Sequence, residues 1–164
     1  MVAERPEIVG ARWDREVEAV RALFQEYAAS LEFDLGFQGF DDELAGLPGA
    51  YAPPGGRLLL LRAGGEDVGC GALRPLDADG VCELKRLYVR PAARGSGGGR
   101  ALLERLLDEA RVIGYRRMRL DTVPGMEAAL ALYRSVGFEP IEPYVHNPVP
   151  GATFLELDLE RSAP

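Results

Sequence analysis

The sequence predicts one mixed α/β domain, on three observations. Runs rich in apolar and β-branched residues, such as 57–63 and 81–89, alternate with segments whose apolar residues recur at helical spacing. Clusters of Gly, Pro and Asp punctuate these runs at short intervals. A glycine-rich turn, Arg94-Gly95-Ser96-Gly97-Gly98-Gly99-Arg100, joins a strand-like run to a helix-like one. No repeat or linker divides the 164 residues, so 1–164 reads as a single domain.

The elements follow in order. Residues 7–11 form a short strand, and Asp14 stands where it can cap a helix lined on one face by Val17, Val20, Phe24, Tyr27 and Leu31. Residues 33–40 are aromatic and glycine-rich without periodicity. A short helix over 41–47 closes at Pro48-Gly49, and 51–56 is a loop. Strand 57–63, a hairpin turn at 64–67, strand 68–73, a turn at 77–80 and strand 81–89 come next. Beyond the glycine loop, Leu102, Leu103, Leu106, Leu107, Ala110 and Ile113 mark a long helix. Strand 116–121 precedes a helix over 127–136 that Gly137 stops. Residues 138–141 are extended, 143–151 hold three prolines and form a loop, and 153–159 make the last strand.

Composition excludes several functions. No apolar run approaches the ~20 residues that span a bilayer, and the first residues lack the apolar segment of a signal peptide, so a cytoplasmic location is expected. Cys70 and Cys82 are too few for a disulfide scaffold, and His146 is the only histidine, so no metal site is expected. A net charge of −7 argues against nucleic acid or an anionic membrane as partner. Within that acidic chain Lys85, Arg86, Arg90, Arg94, Arg100 and Arg105 make a basic middle, suited to a polyanionic cofactor.

The glycine loop is where such an anion fits. A turn entering a helix leaves backbone N–H groups unpartnered and aimed at one spot, where the helix dipole adds positive charge. Arg94 and Arg100 flank it with whole charges. No Gly-Lys-Ser/Thr follows, so it is not a P-loop, and no G-x-G-x-x-G opens a dinucleotide fold. From these residues alone, the loop is either a phosphate cradle of the form Arg-x-x-Gly-x-Gly or a flexible glycine connection.

This loop after the fourth strand, with Ala131-Leu132-Tyr133-Arg134-Ser135-Val136-Gly137-Phe138 downstream, resembles the GNAT superfamily of N-acetyltransferases. The resemblance implies a mixed, mainly antiparallel central sheet flanked by helices on both faces. It implies acetyl-CoA as cosubstrate, with its pyrophosphate on the backbone of Arg94, Gly95, Ser96, Gly97, Gly98, Gly99 and Arg100. The strand backbone at Leu87, Tyr88 and Val89 would pair with the pantetheine arm. Many members carry Asn seven residues before the helix tyrosine; here that residue is Met126, and the contact is not carried over.

By the same resemblance Tyr133 protonates the departing thiolate, although its spacing alone also fits a core aromatic. Glu83 is the candidate base, placed by strand alternation on one face with Lys85 and Leu87. It reads equally as a solvent-facing glutamate paired with Lys85, or with Arg86 of a neighbouring chain. The acceptor groove of this architecture points to Phe33, Asp34, Phe37, Phe40, Tyr51, Tyr144, His146 and Asn147. Asp34, Phe37 and His146 are the named substrate candidates, for a small-molecule or amino-acid-like primary amine. A protein N-terminus or lysine, a non-catalytic acyl-CoA sensor and a nucleotide-binding domain remain as alternatives, and a homodimer is compatible with the resemblance.

Overall fold

A computed structural model describes residues 5–161. Its elements are β1 (Glu7–Gly10), α1 (Val17–Ala29), α2 (Phe40–Ala45), β2 (Arg57–Ala63), β3 (Glu66–Pro75) and β4 (Val81–Val89), then α3 (Gly98–Ile113), β5 (Arg117–Thr122), α4 (Glu127–Ser135), β6 (Glu139–Pro140) and β7 (Thr153–Asp158). Short 3-10 turns occupy Leu35–Gln38, Gly49–Tyr51 and Pro91–Ala93. All strands join one seven-stranded sheet in the order β1-β2-β3-β4-β5-β7-β6. Every pairing is antiparallel except β4 with β5. Among the described residues no helix is long and apolar enough to cross a membrane.

The sheet is buried on both faces, which explains the run Leu58-Leu59-Leu60-Leu61 in β2. Leu59 and Leu61 pack with α3 and α4, against Leu102, Leu103, Leu106 and Tyr133. Leu58 and Leu60 pack with α1 and α2, against Val20, Phe24, Phe40 and Tyr51. A central strand covered twice needs apolar residues at consecutive positions. Gly64 and Gly65, at φ 58° and 80°, close the β2–β3 hairpin in the left-handed region that a two-residue turn requires.

Asp14 does not cap α1. Glu16 holds that position without a side-chain cap, while Asp14 pairs with Arg12 and Arg15, each at 3.8 Å. The Glu16 carboxylate instead accepts from Arg12 N–H at 2.9 Å and binds Arg62 of β2, which ties the helix start to the sheet.

Two departures from regular pairing shape the centre of the sheet. Opposite β3, the register of β4 slips between Cys70↔Tyr88 and Ala72↔Lys85, and Arg86 takes φ 59°. This is a β-bulge built on a non-glycine residue. Opposite β5, pairing covers only Val81↔Arg117 to Glu83↔Arg119. Beyond Glu83 the two parallel strands separate.

Candidate active site

The split between β4 and β5 opens into two joined spaces. A groove of about 430 Å³ runs from the glycine loop along β4, lined by Val89, Arg94, Gly99, Pro124, Ala129 and Leu132, among others. A smaller cavity of about 40 Å³ continues from it beneath the sheet, lined by Gln38, Lys85, Arg86, Asp121, Tyr133 and Asn147, among others. Tyr27, Phe33, Leu87, Val123 and Met126 border both.

At the outer end, Gly95 and Gly97 take φ 85° and 83°, a backbone state closed to most side chains. They turn the chain so that α3 begins at Gly98 with no side-chain cap. Among the described residues no backbone N–H from Gly95 to Arg100 meets a protein acceptor; the first to do so is Ala101, to Gly97 at 3.0 Å. Gly98 packs closely on β2, where a Cβ would lie 2.5 Å from Leu61 Cδ2 and force that side chain to shift. The exposed Ser96 hydroxyl donates back to Ala93 O at 2.8 Å.

Arg94 donates from Nε to the Val89 carbonyl at 2.9 Å, and its guanidinium lies over the Tyr88 ring at 5.8 Å. Arg100 donates to Ser135 Oγ at 2.8 Å, bracing α3 against α4. On the β3 side, Arg90 N–H bonds Val68 O at 2.8 Å. By alternation the backbone groups of Val89, and of Leu87 two residues back, therefore point into the split.

Tyr133 lines the smaller cavity. It is 4% exposed, packs against Phe138 at 5.7 Å between ring centroids, and its hydroxyl bonds no other described residue. Burial pushes its pKa above the ordinary phenol value, so it remains a proton donor at neutral pH.

A sequence model of the acetyltransferase (GNAT) family matches residues 17–138, which contain the loop, the split strands and Tyr133. The chain belongs to this family. It is accordingly an acyltransferase. It is 38% identical over 155 residues to an uncharacterized N-acetyltransferase of Schizosaccharomyces pombe, covering 94% of this chain and 95% of that one. A structure from Klebsiella pneumoniae described as an acyl-CoA N-acyltransferase aligns with a TM-score of 0.70 at 29% identity, over 94% of this chain and 97% of that one. An acetyltransferase from Salmonella typhimurium, solved with acetyl-CoA, aligns with a TM-score of 0.73 at 24% identity over 95% of each chain, a likeness of fold.

Within this GNAT chain, the expected site residues divide. Leu87, Tyr88, Val89, Arg94, Gly99 and Tyr133 border the groove or cavity. Glu83 does not. It is 1% exposed, accepts from Arg74 Nε at 3.0 Å and from the Tyr144 hydroxyl at 2.7 Å, and lies 3.9 Å from Lys85 Nζ. Nor does it share a face with Leu87. The bulge at Arg86 turns Leu87 to the α3 side, where it meets Leu106 across Gly71, while Glu83 and Lys85 face α1 and α2. Arg86 pairs within its own chain, with Glu43 at 2.9 Å.

The three named substrate candidates also lie elsewhere. Asp34 is exposed and caps the turn at 35–38, accepting from Gly36 N–H at 2.6 Å. Phe37 stacks on Phe33 at 6.2 Å, and His146 is exposed on its loop. None of the three borders the groove or the cavity. Phe33 and Asn147 do, together with Gln38, Lys85 and Asp121, which the sequence reading did not assign to the site. Lys85 and Asp121 are charged residues on strands of a sheet covered on both faces, the kind of signal that singled out Glu83, but Arg86, Arg117 and Arg119 beside them carry it equally.

Proposed function

We propose that this acyltransferase is an acetyl-CoA-dependent N-acetyltransferase acting on the primary amine of a small molecule by direct attack. The observation that carries the reading is the row of unpartnered N–H groups from Gly95 to Arg100 at the mouth of α3. A diphosphate supplies acceptors for such a row, and the dipole and Arg94 favour its charge. The groove from there to the cavity that Tyr133 lines has the course of an extended acyl-pantetheine arm, with the backbone of Val89 and Leu87 turned toward it. The acetyl-CoA present in the Salmonella relative agrees with this assignment.

Acetyl-CoA supplies an acetyl group activated as a thioester. The remaining work falls to the chain's own residues. Gly97 and its neighbours hold the diphosphate, and the Leu87 N–H lies on the strand where it can stabilise negative charge on the thioester oxygen. Tyr133, kept protonated by burial, donates to the departing sulfur. Glu83 holds Arg74 and Tyr144 rather than reaching the amine. The 40 Å³ cavity suits a small head group better than a folded protein segment. We further propose that 1–164 acts as one cytoplasmic domain.

Calorimetric titration with acetyl-CoA and with ATP, followed by free-thiol release across an amine panel, tests the reading. Binding of acetyl-CoA alone and transfer to an amine are expected. Preference for ATP overturns it, and acetyl-CoA binding without transfer to any amine identifies a sensor instead.

A further inference from the structure

We infer that the acceptor is a zwitterionic amino acid or a close analogue, its carboxylate held by Lys85 and its amino group by Asp121; this rests on the acetyl-transfer reading above. The charges around the small cavity leave these two side chains without a full ion pair. Arg86, 3% exposed, is neutralised by Glu43 through Nε at 2.9 Å and Nη2 at 3.1 Å, and its Nη1 donates to Gln38 Oε1 at 2.9 Å. Glu83 is taken by Arg74 and by the Tyr144 hydroxyl.

Lys85, 7% exposed, donates to Gln38 Oε1 at 3.0 Å and stands 3.9 Å from Glu83. An ammonium carries three N–H donors and the Gln38 bond uses one, so two remain at the cavity that Lys85 lines. Asp121 makes no ion pair among the described residues. Its Oδ2 accepts from Asn147 Nδ2 at 2.9 Å, and Asn147 is fixed in turn by accepting from Val149 N–H at 3.0 Å.

Their placement follows from the sheet. β4 and β5 run parallel with Glu83 opposite Arg119, so two residues further on Lys85 stands level with Asp121 across the split. Both belong to one face. Tyr144 bonds Glu83 and lies beneath the Arg119 guanidinium at 5.6 Å, and strand alternation carries that face to 85 and 121. A buried cation costs free energy unless an anion joins it, and burial does lower the Lys85 pKa. A carboxylate at Lys85 and an ammonium at Asp121 would pair both residues at once. Tyr133 borders the same cavity, so the amine so held stands beside the transfer point.

The step balances. The ammonium gives one proton to Asp121, which passes it to solvent, and the freed lone pair forms the C–N bond to the thioester carbonyl carbon. The C–S bond breaks, and the sulfur takes the Tyr133 hydroxyl proton. The second proton leaving nitrogen restores Tyr133. Acetyl-amino acid, free thiol and one proton result.

The test compares matched acceptors with acetyl-CoA on wild type: L-amino acids, their carboxamides, and the amines lacking the carboxylate altogether. The amino-acid arm is expected to show a kcat/KM at least about tenfold above its partners. Lys85→Gln should raise KM for the amino acid about 10–100-fold while leaving KM for the carboxamide and the affinity for acetyl-CoA near wild type. A merely structural lysine would shift both acceptor arms and acetyl-CoA binding together, and that result overturns the inference. Equal or better transfer to carboxamides overturns it too, with acetyl transfer itself intact. Absence of both transfer to amino acids and their binding, with acetyl-CoA still bound, overturns it as well. Failure to bind acetyl-CoA defeats the underlying reading instead.

Discussion

Replacing Gly99 by Asp should stabilise the fold and weaken acetyl-CoA binding, two effects that misfolding cannot produce together. Gly99 is the second residue of α3, its φ is not positive, and a Cβ there meets only Val89 Cγ2, at 3.9 Å. The side chain therefore has room. Removing a helical glycine gains a few tenths of a kcal/mol, and a carboxylate in the first turn about 0.3–1 kcal/mol from the dipole. The sum of roughly 0.5–1 kcal/mol corresponds to a rise in Tm of about 1–4 °C for a chain of this size.

The same carboxylate would stand beside the proposed diphosphate. Two unit charges at 4 Å repel by about 1 kcal/mol in water and about 4 kcal/mol near a protein surface. In an open groove, against two phosphate charges, a penalty of about 2–3 kcal/mol is a fair scale, or roughly 30–150-fold in Kd. Calorimetry at about 0.05 M and about 0.5 M salt should show the penalty shrinking as screening rises. Gly99→Ala, which adds propensity without charge, should keep acetyl-CoA affinity within a few-fold. An Asp variant that melts higher yet binds acetyl-CoA within twofold of wild type would refute the phosphate assignment. One that melts several degrees lower would refute the claim that the position has room.

Tyr133→Phe should lower kcat about 100-fold or more while leaving Tm and acetyl-CoA affinity near wild type, since the hydroxyl bonds no other described residue; unchanged turnover would return Tyr133 to the core. Because burial raises the Tyr133 pKa, the kcat–pH profile should show no loss from its ionisation near the ordinary phenol value of 10.0. Glu83→Gln should cost about 2–4 kcal/mol in urea unfolding, as Arg74 loses its hydrogen-bonded counter-ion. The shape of its pH–rate profile should stay that of wild type, and a stable variant with an altered profile would restore Glu83 as base. Lys85→Met should unfold at equal or higher urea concentration than wild type at neutral pH. The lysine pKa is lowered by burial from 10.5, so the unfolded chain binds more protons between the folded value and 10.5. The penalty is full below that window and fades as pH rises through it, so the advantage of Met should shrink towards alkaline pH; a variant less stable at every pH refutes this.

The secondary structure was legible because its punctuation is chemical. Gly64-Gly65, Gly97, Gly114 and Gly137 all sit at positive φ where elements end or turn, and each is visible as a glycine. The bulge was not, because Arg86 occupies the left-handed state without a glycine to mark it. That single residue reversed the face of Leu87 relative to Glu83. Asp34 and His146 carry chemistry suited to a substrate groove, yet Asp34 caps the turn at 35–38, His146 lies exposed on its loop, and neither borders the groove or the cavity. Gln38 carried no signal at all. Its role comes from two cations, Lys85 and Arg86, converging on one amide oxygen from a strand distant in sequence.

The bulge and the split also belong to one another. A non-glycine residue in the left-handed region costs about 1–2 kcal/mol, and it persists only if its surroundings hold it. Here Glu43 grips Arg86 in a two-point ion pair, Gln38 takes a third N–H, and the Phe40 ring lies 5.0 Å from the guanidinium. The strain is thus offset from α2 and the turn before it, on the side away from α3. What it yields is a strand that changes face partway. Before the bulge, β4 lends Lys85 to a polar cavity; after it, Leu87 and Val89 turn their side chains to the α3 core and their backbone to the groove. An unbulged β4 would put Leu87 where Lys85's face continues and leave the strand free to keep pairing with β5. One residue's backbone conformation therefore separates the half of the site proposed for the acyl carrier from the half proposed for the acceptor.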